Sequence, residues 1–379
     1  MHILIAPNAF KHALDAAEAA SSIQQGLAAS RLSCTTQCFP IGDGGNGTCR
    51  LIVENCRGTW INTTVKDPLH RPISASLGLI DDGRMAVIEM ADASGLHLLN
   101  AEELDPLYAD SYGTGELIRK ALDEGAKHIV VGMGGSATVD GGSGLLAALG
   151  ARFLDGAGRE ITDLPVGLQN LNRIDCTSLD KRLRDCRLTV LCDVANPLLG
   201  AHGAARIFGP QKGASPEMVL QLEAILSRYA DVLHSETGIA VSDIASGGVA
   251  GGASAGLKAV VGAELVNGIQ YFLELTQFEA SLAHCDLVVT GEGSIDEQTL
   301  DGKGPYGVAK MAKARGIAVI GLAGRVPQES NVKLAEYFDA LLAIGNGPSP
   351  LEEALRMTSA NLSNVATQLG NLLARYPLR

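Results

Sequence analysis

The chain has 379 residues, a formal net charge of −12 and a hydrophobic fraction of 46%. Its length exceeds the roughly 250–300 residues at which one core stops growing, so two domains are expected. The acidic balance, with no Lys/Arg run, argues against a nucleic-acid partner, and no apolar run of about 18 residues exists to cross a membrane. The 8 cysteines form no Cys-x-x-Cys pair and read as small buried hydrophobes in a reducing compartment. No basic region followed by an apolar one reads as a leader, since Met1–Ala6 reads as a first strand, so a soluble cytoplasmic protein is expected.

Ile3–Ala6 reads as a buried parallel strand, with Pro7-Asn8-Ala9-Phe10-Lys11 turning after it. Asp15-Ala16-Ala17-Glu18 has capping-box spacing and opens a helix to about Leu27. A strand near Thr36–Phe39 leads to Asp43-Gly44-Gly45-Asn46-Gly47. From about Ile61 the texture changes. Thr63–Val65, Ile73–Leu79 and Met85–Glu89 are short strands joined by Asp67-Pro68 and Asp81-Asp82-Gly83 turns, an antiparallel pattern. A helix over Gly115–Glu124, capped by Thr114, precedes a strand at His128–Val131. Leu188–Cys192 is a strand ending in Asp193-Val194-Ala195-Asn196-Pro197, and a long helix starts at Pro216. Gly247–Gly252 suits close backbone packing. From Asp286 the βα alternation returns, through Leu287–Val289, a helix after Gly304, Ala318–Gly321, Ala340–Ala343 and a helix over Leu351–Leu373. The pattern predicts an α/β fold with a doubly wound parallel sheet built from 1–61 and 285–379. A mixed α/β domain, 62–284, is inserted in it.

Asp-Gly-Gly-x-Gly occurs twice, at Asp43–Gly47 and Asp140–Gly144. Thr290-Gly291-Glu292-Gly293-Ser294-Ile295-Asp296 has the same character and reads as a third turn. Glycines let backbone N–H groups approach a phosphate, and the carboxylates suit hydrated Mg²⁺. An enzyme handling a metal–polyphosphate is the expected class. No Walker A sequence exists, since Lys303 is followed by Gly304, and no protein-kinase motif set appears. A competing signal is Gly132-Met133-Gly134-Gly135-Ser136-Ala137, which fits G-x-G-x-x-A after a strand, with Asp155 about twenty residues on. It keeps open an NAD(P)-dependent oxidoreductase.

Together, several segments resemble the bacterial glycerate kinases of the class I family. They are Pro7–Lys11, Gly42–Thr48, Asp67–Pro72, Gly134–Gly142, Cys192–Leu198, Phe208–Ala214, and Thr290–Asp296 with Gly302-Lys303. They run in family order over nearly the whole chain. The resemblance implies ATP-dependent, Mg²⁺-assisted phosphorylation of D-glycerate, usually at the 2-hydroxyl. It also implies two α/β domains, one flavodoxin-like and split in sequence, with the active site between them. The chain departs from the usual pattern at Asn8 (Asp), His12 (Gly), Asn46 (Glu), His70 (Gly), Val139 (Asn) and Ser294 (Arg).

Phosphoryl transfer needs cations for phosphates, carboxylates for Mg²⁺ and a base near the acceptor hydroxyl. Lys11 and Asp193 are the expected catalytic residues: Lys11 for the glycerate carboxylate or transferred phosphoryl group, Asp193 as base or metal ligand. Asp43, Glu292 and Asp296 are the metal candidates. Gly134, Gly135, Ser136, Gly44, Gly45 and Lys303 are assigned to the nucleotide phosphates, with Lys212 a further candidate. Arg71 and Asn196 are assigned to the substrate, Arg71 as a bidentate partner of its carboxylate. The expected partner is a small molecule, glycerate or a similar hydroxy acid, acted on by a monomer or homodimer. Phosphorylation at the 3-position, another hydroxy-acid acceptor, and a non-catalytic metabolite-binding relic stay open.

Overall fold

The computed structural model describes residues 1–329 and 331–376; the last residues of the expected 285–379 segment lie outside them. The chain divides into two compact units, Met1–Asp43 with Ile269–Arg379, and Gly44–Gly268.

In the first unit, β1 (His2–Pro7), β2 (Thr35–Cys38), β11 (Leu287–Ser294), β12 (Ala318–Arg325) and β13 (Ala340–Ala343) form one parallel sheet, in the order β13-β12-β11-β1-β2. Counted within the unit this is the flavodoxin-like order 2-1-3-4-5, which reverses between its first and third strands. Those strands are β1 and β11, registered with Pro7 opposite Gly291. Ligands of such sheets sit outside the carboxyl ends at this reversal, so the sheet itself singles out the segments after Pro7 and around Glu292. The helix Ala16–Ala29 has the expected capping box: Glu18 N–H donates to Asp15 at 2.7 Å and Asp15 N–H to Glu18 at 2.9 Å. Its Ile23 and Leu27 join Ile3, Ile5, Leu287 and Leu362 in the core.

The second unit holds a mixed sheet of β3 (Thr59–Lys66), β4 (Pro72–Ile80), β5 (Met85–Glu89), β6 (His128–Gly132), β9 (Arg187–Cys192) and β10 (Glu264–Asn267), ordered β10-β9-β6-β5-β4-β3. Pairing is antiparallel from β3 to β5 and parallel from β5 to β10. β7 (Arg152–Asp155) and β8 (Leu171–Asp175) make a separate antiparallel pair.

The units meet in sequence at 43/44 and 268/269, earlier than the texture change suggests. The helix Thr48–Asn55 precedes that change, yet its Val53 packs on Gly78 of β4, and its Cys49 thiol donates to Ile88 O of β5. Likewise Ile269 and Leu273 of the helix Gly268–Leu275 lie against Gly307 in the helix Gly304–Lys313. Three other readings change. Thr290–Ser294 is not a turn but the end of β11, with Glu292 opposite Ala323. Thr114 lies inside a helix, Tyr112–Asp123, and bonds Ser94 at 2.7 Å instead of capping. The C-terminal helix is two, Leu351–Arg356 and Thr358–Arg375. Among the described residues no helix is long and apolar enough to cross a membrane.

Candidate active site

In the first unit, the ends of β1 and β11 gather four of the expected groups. Asn8 N–H donates to Gly291 O, which fixes the start of the loop after β1. The Asn8 amide donates to Asp43 Oδ2 at 2.8 Å and its own carbonyl accepts from Ala9 N–H. An aspartate at position 8 has no side-chain N–H to offer and would face Asp43 as a like charge, so the departure at Asn8 replaces a repulsion by a bond. Phe10 and Leu14 pair across a tight loop whose exposed tip carries Lys11 and His12. Glu292 is buried, with Thr299 donating to its Oε1 at 3.1 Å. Burial pushes this carboxyl up to about 7, against the pull of Lys303; Asp43 adds to the rise, and Thr299 and Lys11 oppose it. Lys303, Asp43 and Lys11 therefore all act on Glu292. Asp296 stands apart in role: it caps the turn Glu297–Asp301, accepting from Gln298 N–H at 3.0 Å.

His12 has φ +66°, a left-handed backbone that favours glycine. The departure at His70 falls on the same kind of backbone, φ +63°. Replacing His12 with glycine should stabilise the protein by roughly 0.5–1 kcal/mol in urea unfolding, the left-handed strain offset in part by glycine's unfolded entropy. His70 recovers its strain differently, through a 2.7 Å bond from its ring to Asp110 that also raises its pKa.

In the second unit, the two glycine segments Gly44–Gly47 and Gly132–Ser136 pack together. Gly134 N–H donates to Gly44 O, and Gly44 N–H to Thr48 Oγ1. These two N–H groups are thus consumed inside the turns and are not offered to a phosphate, contrary to expectation. The absence of a side chain is what matters there: a Cβ on Gly134 would lie 2.5 Å from Gly45 Cα, and one on Gly135 2.2 Å from Asn46 Oδ1. Gly135 N–H keeps no partner among the described residues.

Lys212 is not a solvated loop lysine. It is 3% exposed, and its ammonium donates to Ser136 Oγ at 2.8 Å and Thr138 O at 2.7 Å. With the Ser136 oxygen accepting from Lys212, its O–H is turned to donate elsewhere. Burial lowers the Lys212 pKa to about 7, Asp140 opposing. Asp140 is itself structural: wholly buried, it accepts from Ser111 N–H and Oγ–H and from the N–H groups of Gly142 and Gly144. Lys212→Met leaves two buried acceptors unpaired and should cost roughly 1–3 kcal/mol in urea unfolding. Between pH 7 and the ordinary 10.5 the unfolded chain holds a proton that folded Lys212 has released, so its contribution rises with pH across that window. The gap between parent and variant should be wider at about pH 9 than at pH 7.

Asp193 follows β9, on a loop pinned at several points. Ser246 Oγ–H donates to Val194 O, Gly248 N–H to Asn196 O, and the Asn196 amide to His202 O at 2.8 Å. Asn196 therefore shapes the loop that presents Asp193. Arg71 is a correction. Its Nε donates to Asp67 at 2.5 Å and Nη1 to Glu103 at 2.6 Å, so its fork holds its own loop and does not face outward for a substrate carboxylate. The dinucleotide signal also dissolves. After β6 no helix starts until Ser143, and Asp155 sits in the β7–β8 pair, bonded to Arg159. Among the described residues no three His, Cys, Asp or Glu side chains are grouped to hold a metal ion. Mg²⁺ commonly takes only one or two carboxylates plus substrate phosphates, and Asp43 and Glu292 are the two carboxylates here that could serve in that way.

Sequence reasoning passed over Glu89. It ends β5, is buried, and accepts from Gly47 N–H. A carboxylate closing the apolar run Met85–Ile88 was the available signal.

The sequence model of the Glycerate kinase family matches residues 3–374. A Bacillus subtilis protein named glycerate kinase is 43% identical over 369 residues, 97% of each chain. An Escherichia coli protein named glycerate 2-kinase is 42% identical over 374 residues, 99% of this chain and 98% of that one. A crystal structure from Salmonella typhimurium LT2, described as that of a glycerate kinase 2, superposes with TM-score 0.82 at 44% identity, covering 99% of this chain and 98% of that one.

Proposed function

We propose a reaction from one premise: the chain belongs to the glycerate kinase family. It is a kinase, a phosphotransferase with an alcohol acceptor. Our reading is that it moves the γ-phosphoryl group of ATP to the 2-hydroxyl of D-glycerate, giving 2-phosphoglycerate and ADP, in the cytoplasm. The observation that carries it is the cluster of Lys11, Lys303, Asp43 and Glu292 at the reversal of a parallel sheet. Two cations and two carboxylates at such a point suit a polyphosphate and a divalent ion. The 2-position is supported by the relative named glycerate 2-kinase.

In this reading Lys303 is the phosphate-neutralising cation of the first unit, and Gly135 N–H and the Ser136 hydroxyl that Lys212 orients are the phosphate donors of the second. Lys11 neutralises the acceptor carboxylate or the transferred group. Asp43 and Glu292 would hold Mg²⁺, which supplies neutralisation of phosphate charge when bound. Asp193 accepts the hydroxyl proton as the new O–P bond forms and the bond to ADP breaks. Incubation of the purified protein with ATP, Mg²⁺ and a panel of hydroxy acids tests it. ADP release with glycerate, and a phosphorus NMR signal of 2-phosphoglycerate, are expected. No ADP release with any acid overturns the reading; a 3-phosphoglycerate signal overturns the position.

A further inference from the structure

The second unit holds a cavity of about 410 Å³ to which the reaction above gives no role. Asn46, Gly47, Trp60, Glu89, Asp92 and His97 are in its wall. Its size falls within the usual range for small-ligand sites. Trp60, on β3, is the only tryptophan of the chain and is 42% exposed at this place. A large flat aromatic left half open in a cavity wall is suited to stacking.

The charges in the wall decide what can stack there. Glu89 and Asp92 are neighbouring carboxylates; burial raises both pKa values, and Asp92 raises that of Glu89 further. On the basic side, Arg50 gives its Nε to Glu54 at 2.8 Å, and His97 stands beside Asp92. A carboxylate or phosphate group would therefore meet like charge. Among the described residues no three His, Cys, Asp or Glu side chains are grouped here to hold a metal ion. The complement of a tryptophan face and acidic acceptors is a neutral heteroaromatic ring bearing an amine.

The position of the cavity links it to the glycine turns. Asn46 is in its wall and also abuts Gly135. Leu96 N–H donates to Gly135 O at 2.8 Å, which ties the segment carrying His97 to the same turn. The cavity and the turn share a wall, as the base and phosphate ends of one nucleotide would require. We propose that this cavity takes the amino-bearing base of the nucleotide, stacked on Trp60 with its amine directed to Asp92. The proposal rests on ATP as the phosphoryl donor.

Because Trp60 is alone in the sequence, its fluorescence reports on this site and no other. The intact protein is titrated with adenosine, ATP and D-glycerate, with excitation at the red edge of tryptophan absorption, and turnover is measured on the same sample. Saturable quenching by adenosine and by ATP, but not by glycerate, is expected. Trp60→Leu and Asp92→Asn should each raise KM for ATP, by about tenfold for the stacking residue, with KM for glycerate and the unfolding transition unchanged. Turnover with ATP that leaves Trp60 emission unaltered, or quenching by glycerate alone, overturns the proposal while the kinase reading stands. Quenching by adenosine in a sample with no turnover supports the site and removes the kinase reading. An unchanged KM for ATP in both folded variants also overturns the proposal.

Discussion

Lys11→Ala should lower kcat by about 10²–10³-fold, the range for removing one preorganised group that meets developing charge. The unfolding transition should stay where it is. Lys11 is exposed, and its ammonium makes no hydrogen bond or ion pair among the described residues. The loop beneath it is held by backbone bonds between Phe10 and Leu14 that the substitution does not touch. A side chain that contributes nothing to its own fold can be lost only at the expense of a ligand. Lys11 also draws the Glu292 pKa down, so its removal should keep Glu292 protonated to higher pH. Steady-state kinetics beside urea unfolding checks both halves. Near-normal turnover would remove Lys11 from the site.

Asp193→Asn should lower kcat by at least ~10²-fold if the carboxylate is the general base. The change is isosteric, and bonds from Ser246, Gly248 and Asn196 hold the loop around it. KM for ATP should hold. A variant that regains its rate at high Mg²⁺ would make Asp193 a metal ligand instead.

Much of the scaffold was legible because local signals and tertiary structure agree. The capping box at Asp15 and Glu18 forms as its spacing implies, and Met85–Glu89 is a strand over those same residues. The reversal between β1 and β11 is not a local signal, yet the βα alternation at both chain ends points to it. What escaped was set by packing between distant segments. Glycines 291 and 293 look like a turn, but the neighbouring strand β12 continues alongside them, and a side chain at 291 would collide with Leu322 O. Lys212 sits in a Pro-Gln-Lys-Gly stretch that reads as surface; only the approach of Ser136 and Thr138, more than seventy residues earlier in the chain, buries it. Arg71 had the right chemistry for a substrate clamp, but Asp67 and Glu103 take its donors. The glycine-to-histidine departures at 12 and 70 acquire meaning only with their dihedrals.

The pairing of β1 with β11 joins residues such as Ile3 and Leu287. During synthesis, the amino-terminal strand must wait for almost three quarters of the polypeptide before its central neighbour exists. Gly44–Gly268, by contrast, is continuous and emerges whole within that interval. Vectorial translation thus imposes an order in which the later-numbered unit matures first. Meanwhile β1 and β2 remain a two-stranded fragment with an unprotected edge, and the nascent chain is most exposed to misassembly while Leu287–Ser294 is still to be made.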